Sequence, residues 1–407
     1  MISVLLSAYA VSPSWGSEQG VGWHMAVSLA RYCKVHVITE GEWRGEIESA
    51  LESLPQKDNL RFYYLPVSDR IHRMCWRQGD YRFYLHYRHW QKRALRLSRE
   101  IMASEHIDVL HQLNMVGFRE PGYLWKIKDV PLVWGPFGGM ELMPLKFLWH
   151  GSKTVWMGAL LKNVGNMLQR SCHPRVIKAF RRADVLVAAT EGCAAYVRKR
   201  YGLSVDVISE TGCDAGVGMI RHDFSAEVLE LLWVGKFSSR KQLGLALETV
   251  SRLKGRVRLH VLGAGSQSEE MSYHAMASKL GDSVVWHGKV SNAEVQEMMK
   301  SSHLLLFTSI MEATSTVVLE AIGNCLPVVC FDTCGFGSVV DGTVGVKIPL
   351  RSYQDAVQDF SSEIAALCSD RPRLARLSEG CARKQPSLSW DWKARRYLSY
   401  YEEVCSR

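Results

Sequence analysis

The feature that most constrains this chain is a grammar that it uses twice: a short apolar strand, a glycine-rich turn, then an amphipathic helix. In the first half "ISVLLSAYA" runs into "GSEQGVGWHMAVSLARY" and then "KVHVITE", a βαβ opening. Further strands follow at "IDVLHQL", "PLVWGPFG" and "ADVLVAAT". In the second half "LELLWVGKF" leads into "QLGLALETVSRL", with later strands in "RVRLHVLGAG", "SVVWHGKV", "HLLLFTS" and "LPVVCF". Strands that are apolar throughout and alternate with helices need cover on both faces, which implies parallel sheets. The expected fold class is therefore α/β, with two doubly wound domains. A length of 407 residues agrees with two cores of ordinary size. A fresh strand after "GCDAGVGMIRHDFSAEV" sets the expected domains at 1–212 and 213–385. The end, 386–407, reads as one amphipathic helix with Trp390, Tyr397 and Tyr401 able to pack on another surface.

Charge and cysteine usage narrow the class of partner. The net charge of +9 favours acidic partners such as phosphates, nucleic acid or anionic lipid. Eleven scattered cysteines, an odd number, favour reduced thiols in a cytosolic compartment over a disulfide framework. The start "MISVLLSAYAVSPSWG" lacks a basic lead and reads as a first buried strand rather than a signal peptide. No stretch approaches the roughly 20 consecutive apolar residues of a membrane span. The expected location is cytoplasmic, with a peripheral place at a membrane surface as an option.

The stretch "SIMEATSTVVLEAIGNCLPVVCF" sets Glu312 and Glu320 on either side of a Thr/Ser run. A helix starting near Thr314 or Ser315, both good N-cap types, would aim its first N–H groups at an anion. Side chains lean toward a helix's N-terminus, so Glu320 tilts back toward the same end, about 12 Å of helix away at most. Two carboxylates bracketing a phosphate suit a ligand with hydroxyls on both sides of it, as a nucleotide sugar has. A solvent-facing Glu and a second Glu on a polar stripe are equally compatible with this stretch alone. Upstream, "WVGKFSSRKQLGLALE" places Gly235, Lys236, Arg240 and Lys241 between a strand and a helix, either as a diphosphate grip or as solvated charge. The strand end "VLGAG" puts Gly263 and Gly265 at a sheet's C-terminal edge, where open α/β sheets bind ligands. It lacks the third glycine of a dinucleotide fingerprint, which argues against NAD.

Taken in order, "VGKFSSRK", "LGAG", "HGKV", "EATSTVVLE" and "NCLPVVCF" resemble the C-terminal half of the retaining GT-B glycosyltransferases of glycosyltransferase family 4. The resemblance covers most of the chain and implies a GT-B fold, two Rossmann-like domains facing a central cleft. "GSEQGVGW" is similar to the family's first glycine-rich loop, which implies that Gly16 and Gly20 face the donor phosphates, Gly20 by close backbone approach. "DVLHQL" places His111 at a strand end where the family often has a His near the donor sugar. "ISETGCD" is similar to the hinge-side segment, and the last helix to one that crosses back onto the first domain.

The resemblance implies transfer of a sugar from a nucleotide donor with retention. Glu320 would bind ribose hydroxyls, and Glu312 would contact the donor sugar, with Glu312 and His111 as the catalytic pair. Lys236 and Lys241 would offset the leaving diphosphate's charge. Gly235, Gly263, Gly265 and Val290 would line the nucleotide site. Thr314 and Ser315, with Thr316, stand where the family has a glycine-rich section, so hydroxyls would help hold phosphate. Lys236 stands where Arg is usual, losing the bidentate fork but keeping the charge. No cofactor and no metal are expected: Cys325, Cys330 and Cys334 do not have common zinc spacings and read as buried thiols. A non-catalytic nucleotide-sugar-binding protein and a nucleotide-sugar epimerase of the same fold remain as alternatives.

Residues 61–100 hold ten Lys or Arg against three acidic residues, interleaved with aromatics. A second segment, "LMPLKFLWHGSKTVWMGALLKNVGNMLQR", mixes Trp, Phe and Leu with Lys. Basic and aromatic helix faces can lie in a membrane interface beside anionic lipid, so residues 61–100 are an expected membrane contact and a lipid-linked glycan an expected acceptor. A solvated basic helix whose aromatics pack on the core fits as well. Nucleic acid is not an expected partner, because no recognised binding module accompanies the charge.

Overall fold

The computed structural model describes residues 1–76, 82–149, 152–213, 218–253 and 255–407. The chain divides into two compact units. The first comprises Met1–Met140, Asn166–Gly212 and Trp390–Arg407; the second comprises Glu141–Gly165 and Cys213–Ser389.

The first unit is built on a parallel sheet of seven strands: β1 Ser3–Ala8, β2 Lys34–Thr39, β3 Leu60–Tyr64, β4 Val109–Asn114, β5 Leu132–Phe137, β6 Val185–Ala188 and β7 Asp206–Val207. Their spatial order is β3-β2-β1-β4-β5-β6-β7. The second unit has six parallel strands: β8 Leu229–Val234, β9 Val257–Leu262, β10 Val284–Gly288, β11 Leu304–Phe307, β12 Val328–Phe331 and β13 Gly345–Ile348. Their order is β10-β9-β8-β11-β12-β13. Central strands such as β1 and β4 are buried at every residue, because helices cover both faces. Each sheet reverses its order once, between β1 and β4 and between β8 and β11. Crevices beyond the carboxyl ends of such reversal points are where doubly wound sheets take ligands.

The last helix, Trp390–Cys405, belongs to the first unit. Trp390, Tyr397 and Tyr401 join a core with Val4, Leu6, Ala26 and Val37. Its polar side is fixed too: Lys393 Nζ donates to the Ser209 carbonyl at 2.9 Å, and Tyr400 Oη to Asp206 at 2.5 Å.

The basic, aromatic segment departs from the membrane expectation. In the helix Phe83–Ser104, the rings of Phe83, Tyr87 and Trp90 are buried around Tyr9, with centroids 5.7, 5.0 and 4.9 Å from it. These three rings fill the core while Tyr84 and Leu85 stay exposed, and basic groups of the segment are tied to the protein. Arg88 pairs with Glu120 at 2.7 Å and Arg61 with Glu105 at 2.8 Å. Residues 77–81 of the segment lie outside the described residues. Among the described residues, no helix is long and apolar enough to cross a membrane.

Candidate functional site

In the first unit, the turn after β1 packs back under β4. Asn114 Nδ2 donates to the Ala10 and Glu18 carbonyls at 2.8 and 2.9 Å, and Val116 N–H donates to the Glu18 carboxylate at 3.1 Å. Removal from water raises the Glu18 carboxyl to about 7, the Val116 N–H opposing this and the Glu210 charge adding to it. Glu18 lies inside the quoted "GSEQGVGW" motif and was not assigned from sequence; a carboxylate between two glycines at a reversal point is the signal that could have found it. Gly16, at the N-cap of the helix Ser17–Leu29, has open space where a side chain would be. At Gly20 the loop leaves no room for a side chain. A Cβ there would lie 2.8 Å from the Trp15 carbonyl oxygen, so the close approach is to the protein's own loop.

His111 also takes a different place from the one implied. It is 0% exposed on β4, with Nε2 at 2.7 Å from the Gly135 carbonyl and Nδ1 at 2.6 Å from Tyr401 Oη. A carbonyl only accepts, so Nε2 carries the proton and Tyr401 donates to Nδ1. Burial lowers its pKa to about 4, which keeps the ring neutral. Both nitrogens are engaged inside the first unit, and this is the geometry of a packing residue rather than a catalytic one.

In the second unit the reversal point is occupied by charge. Lys241 follows β8 and Glu312 follows β11, and Lys241 Nζ meets Glu312 Oε1 at 2.5 Å. Arg240 Nη1 donates to the same oxygen at 2.9 Å and Ser309 Oγ at 3.3 Å. The backbone holds this in place: Thr308 Oγ1 donates to the Lys241 carbonyl at 2.8 Å, and Ile310 N–H to the Arg240 carbonyl at 2.9 Å. Burial lowers the Lys241 pKa, while the Glu312 charge works against that fall. Two cations on one carboxylate leave the cluster net positive, suited to an anion.

Beside it, the ends of β8, β9 and β10 frame a cavity of about 480 Å³. Gly235, Lys236, Gly263, Gly265 and Val290 line it together, with Lys289, Ser266 and Glu269. The glycines have a steric cause. Gly263 has φ +145°, and a Cβ on it would fall 1.8 Å from the Gly235 carbonyl oxygen. A Cβ on Gly265 would fall 2.7 Å from Phe237 Cβ. Lys289 was not assigned from sequence, although it precedes Val290 in the same turn.

The helix Thr316–Gly323 has Ser315 at its N-cap position, without a side-chain capping hydrogen bond. Thr314 and Ser315 are buried, and Thr316 is half-buried. Thr314 Oγ1 lies so close to Gly335 that a Cβ there would be 2.3 Å from it. Glu320 is half-buried and accepts from Asn292 Nδ2 at 3.2 Å, three residues past Lys289. Thus the second unit brings the lysines, the glycine turns and Glu320 to one sheet edge.

Residues 221–384 match the family model described as glycosyl transferases group 1. Two curated relatives accompany it. The lipopolysaccharide 1,6-galactosyltransferase of Escherichia coli (strain K12) is 31% identical over 26% of this chain and 31% of its own length. The lipopolysaccharide core biosynthesis glycosyltransferase LpsE of Rhizobium meliloti (strain 1021) is 26% identical over 62% of this chain and 68% of its own. This chain thus spans about a third of the first relative it matches. Among solved structures, Anabaena HepE in complex with UDP has a TM-score of 0.62 at 15% identity, over 98% of this chain and 100% of that one. The fold is GT-B.

The charged cluster, the glycine turns and Glu320 all fall within the matched domain, residues 221–384. So do Cys325, Cys330 and Cys334. Burial raises all three thiols, Cys334 to about 11, so they stay protonated. Among the described residues, the group that could hold a metal ion lies outside this domain: Glu40, Glu42 and His72 in the first unit. There His72 Nε2 lies 2.6 Å from buried Glu40, whose pKa burial raises.

Proposed function

We propose that this protein is a retaining, metal-independent glycosyltransferase. It moves a sugar from a UDP- or GDP-sugar to a glycan or lipid-linked glycan acceptor, in cell-surface polysaccharide assembly on the cytoplasmic side. The observation that carries the reading is the lysine-lined, glycine-framed cavity at the edge of β8, β9 and β10, with the Lys241–Arg240–Glu312 cluster beside it. The lipopolysaccharide enzymes among its relatives support the glycan class, and a fold neighbour that holds UDP supports a uridine nucleotide as the first donor to try.

Departure of a nucleoside diphosphate leaves negative charge on the phosphate oxygens as the anomeric C–O bond breaks. Lys236, Lys289 and Lys241 supply preorganised positive charge for it, the task that a divalent metal performs elsewhere. Glycines at 235, 263 and 265 let backbone come close to the phosphates. Glu320 takes the ribose hydroxyls. Glu312 Oε1 is held by its three donors, and Oε2 is the oxygen assigned to donor-sugar hydroxyls. His111 has no part in this chemistry.

A thermal-shift panel of UDP, GDP, ADP and their sugar conjugates tests the reading, on the wild type and on Glu320→Ala. A ligand that binds only the folded state raises the melting point by mass action. One nucleotide class is expected to shift the wild type and to lose that shift in the variant, and EDTA should leave turnover unchanged. Equal shifts in both proteins would remove Glu320 from the ribose role.

A further inference from the structure

Residues 40–52 run against the charge of the chain: five acidic residues and one basic, in a protein of net charge +9. They follow β2 at the carboxyl edge of the first sheet, and the helix Arg44–Glu52 begins among them. The one cation, Arg44, lies over the Tyr64 ring, 4.7 Å from its centroid. The acids are organised by Glu40, which is 1% exposed. Its Oε1 accepts from the Glu42 N–H at 2.9 Å, and its Oε2 lies 2.6 Å from His72 Nε2 on the helix Asp69–Trp76. A buried carboxylate thus fixes both the Glu42 backbone and the His72 ring. Glu42 itself is exposed, and it brings a carboxylate oxygen within 4.8 Å of the Glu40 and His72 ligand atoms.

Two tryptophans accompany this group. Trp43, next to Glu42, is half-buried, and Trp15, on the turn after β1, is 58% exposed; their ring centroids are 6.4 Å apart. The turn that presents Trp15 is tied down. Ser12 N–H donates to the Gln19 carbonyl at 3.1 Å, Ser12 Oγ donates to Glu46 at 3.2 Å, and Ser14 Oγ donates to the same carboxylate. The exposed indole is therefore held in place, at the edge where open α/β sheets take ligands. Its surroundings say what covers it. Flat apolar rings bordered by carboxylates suit a molecule that is apolar on its face and hydroxylated on its rim, as a sugar ring is. The same acids repel a nucleoside diphosphate or an anionic surface. We propose that Trp15, Trp43 and Glu42 form a subsite for a neutral sugar of the acceptor glycan, with the sugar's C–H face on the indoles and its hydroxyls donating to Glu42. The proposal rests on the glycosyltransferase reading only in calling that sugar part of an acceptor.

Saturation-transfer difference NMR on the full chain tests it. The probes are methyl α-glucoside, methyl α-galactoside and methyl N-acetyl-α-glucosaminide, and the UDP thermal shift is recorded on the same protein. At least one probe is expected to receive saturation on its ring C–H protons. Trp15→Ala should cut that transfer about fivefold and Trp15→Phe should retain most of it, with the UDP shift unchanged in both. Both variants should keep the wild-type melting temperature, since the ring is exposed; Trp15→Gln replaces the alanine variant if that one unfolds. Glu42→Gln should weaken the transfer less, because an amide still accepts. No transfer to any probe, or equal transfer in Trp15→Ala, overturns the proposal even where UDP binds. Transfer without any nucleotide shift upholds the sugar subsite and overturns the donor reading instead. A melting point raised by ZnCl2 in the wild type and not in Glu42→Gln, with no sugar contact, would make the acidic group a cation site.

Discussion

Glu312 gathers Lys241, Arg240 and Ser309 on a single carboxylate oxygen, with its side chain 11% and that of Lys241 10% exposed. Removing one member of so enclosed a pair leaves the other charge uncompensated, at a cost of about 3 kcal/mol or more. Glu312→Ala should therefore lower the urea midpoint and reduce turnover more than nucleoside-diphosphate affinity; equal loss of both would leave Glu312 a folding role only. His111 gives a second prediction, in pH. Its folded pKa of about 4 lies below its ordinary value of 6.5. Between those values the unfolded chain binds a proton that the folded one does not, so stability falls as pH drops through that window, by about 3 kcal/mol in total. Above it His111 makes no pH-dependent contribution. Urea unfolding of wild type and His111→Gln at pH 7 and pH 4.5 should show a shallower acid loss in the variant. No local reading of "DVLHQL" could have found this role, because the partner Tyr401 lies 290 residues downstream. Glu312 drew attention because it stands just before a helix start, whereas the Arg240 that meets it lies 72 residues upstream.

At the scale of elements, the strands were legible because runs such as β11 and β12 are apolar at every position, which a doubly covered sheet explains. Glycines divide by what their missing Cβ would strike. Gly263→Ala would drive a Cβ into the Gly235 carbonyl at a φ that side chains rarely adopt, and should cost the second unit about 2 kcal/mol or more and abolish the nucleotide thermal shift. Gly16→Ala, with nothing within 4 Å, should change stability little. Two helices show where pattern stops being informative. Phe83, Tyr87, Trp90 and Ala94 have the same spacing as Met157, Leu161, Val164 and Leu168. The first stripe is covered by Tyr9 and its neighbours, while the second is about half exposed or more among the described residues. Periodicity announces an apolar stripe; only packing tells what lies against it.

For the whole molecule, the two units have separate cores, and the first is assembled from three stretches of chain. Truncation after Ser389 removes Trp390, Tyr397, Tyr400 and Tyr401 from the first core. Calorimetry should then lose the first unit's transition while the second unit's remains; loss of both would mean that the units fold as one. The second unit was legible as an ordered set of short motifs at strand ends, several of them glycine turns with no room for a side chain. The first unit offered few such constraints, and its packing partners come from the far end of the chain.

That placement sets a timetable for biosynthesis. A ribosome passes Gly212 with most of the first sheet already written, yet Tyr401, the hydroxyl that His111 needs, is still to be made. At roughly 5–20 residues per second the nascent first unit waits on the order of ten seconds with an open flank, while the later-made unit can close. The unit begun first is thus completed only after the second has been made, when the helix Trp390–Cys405 reaches it.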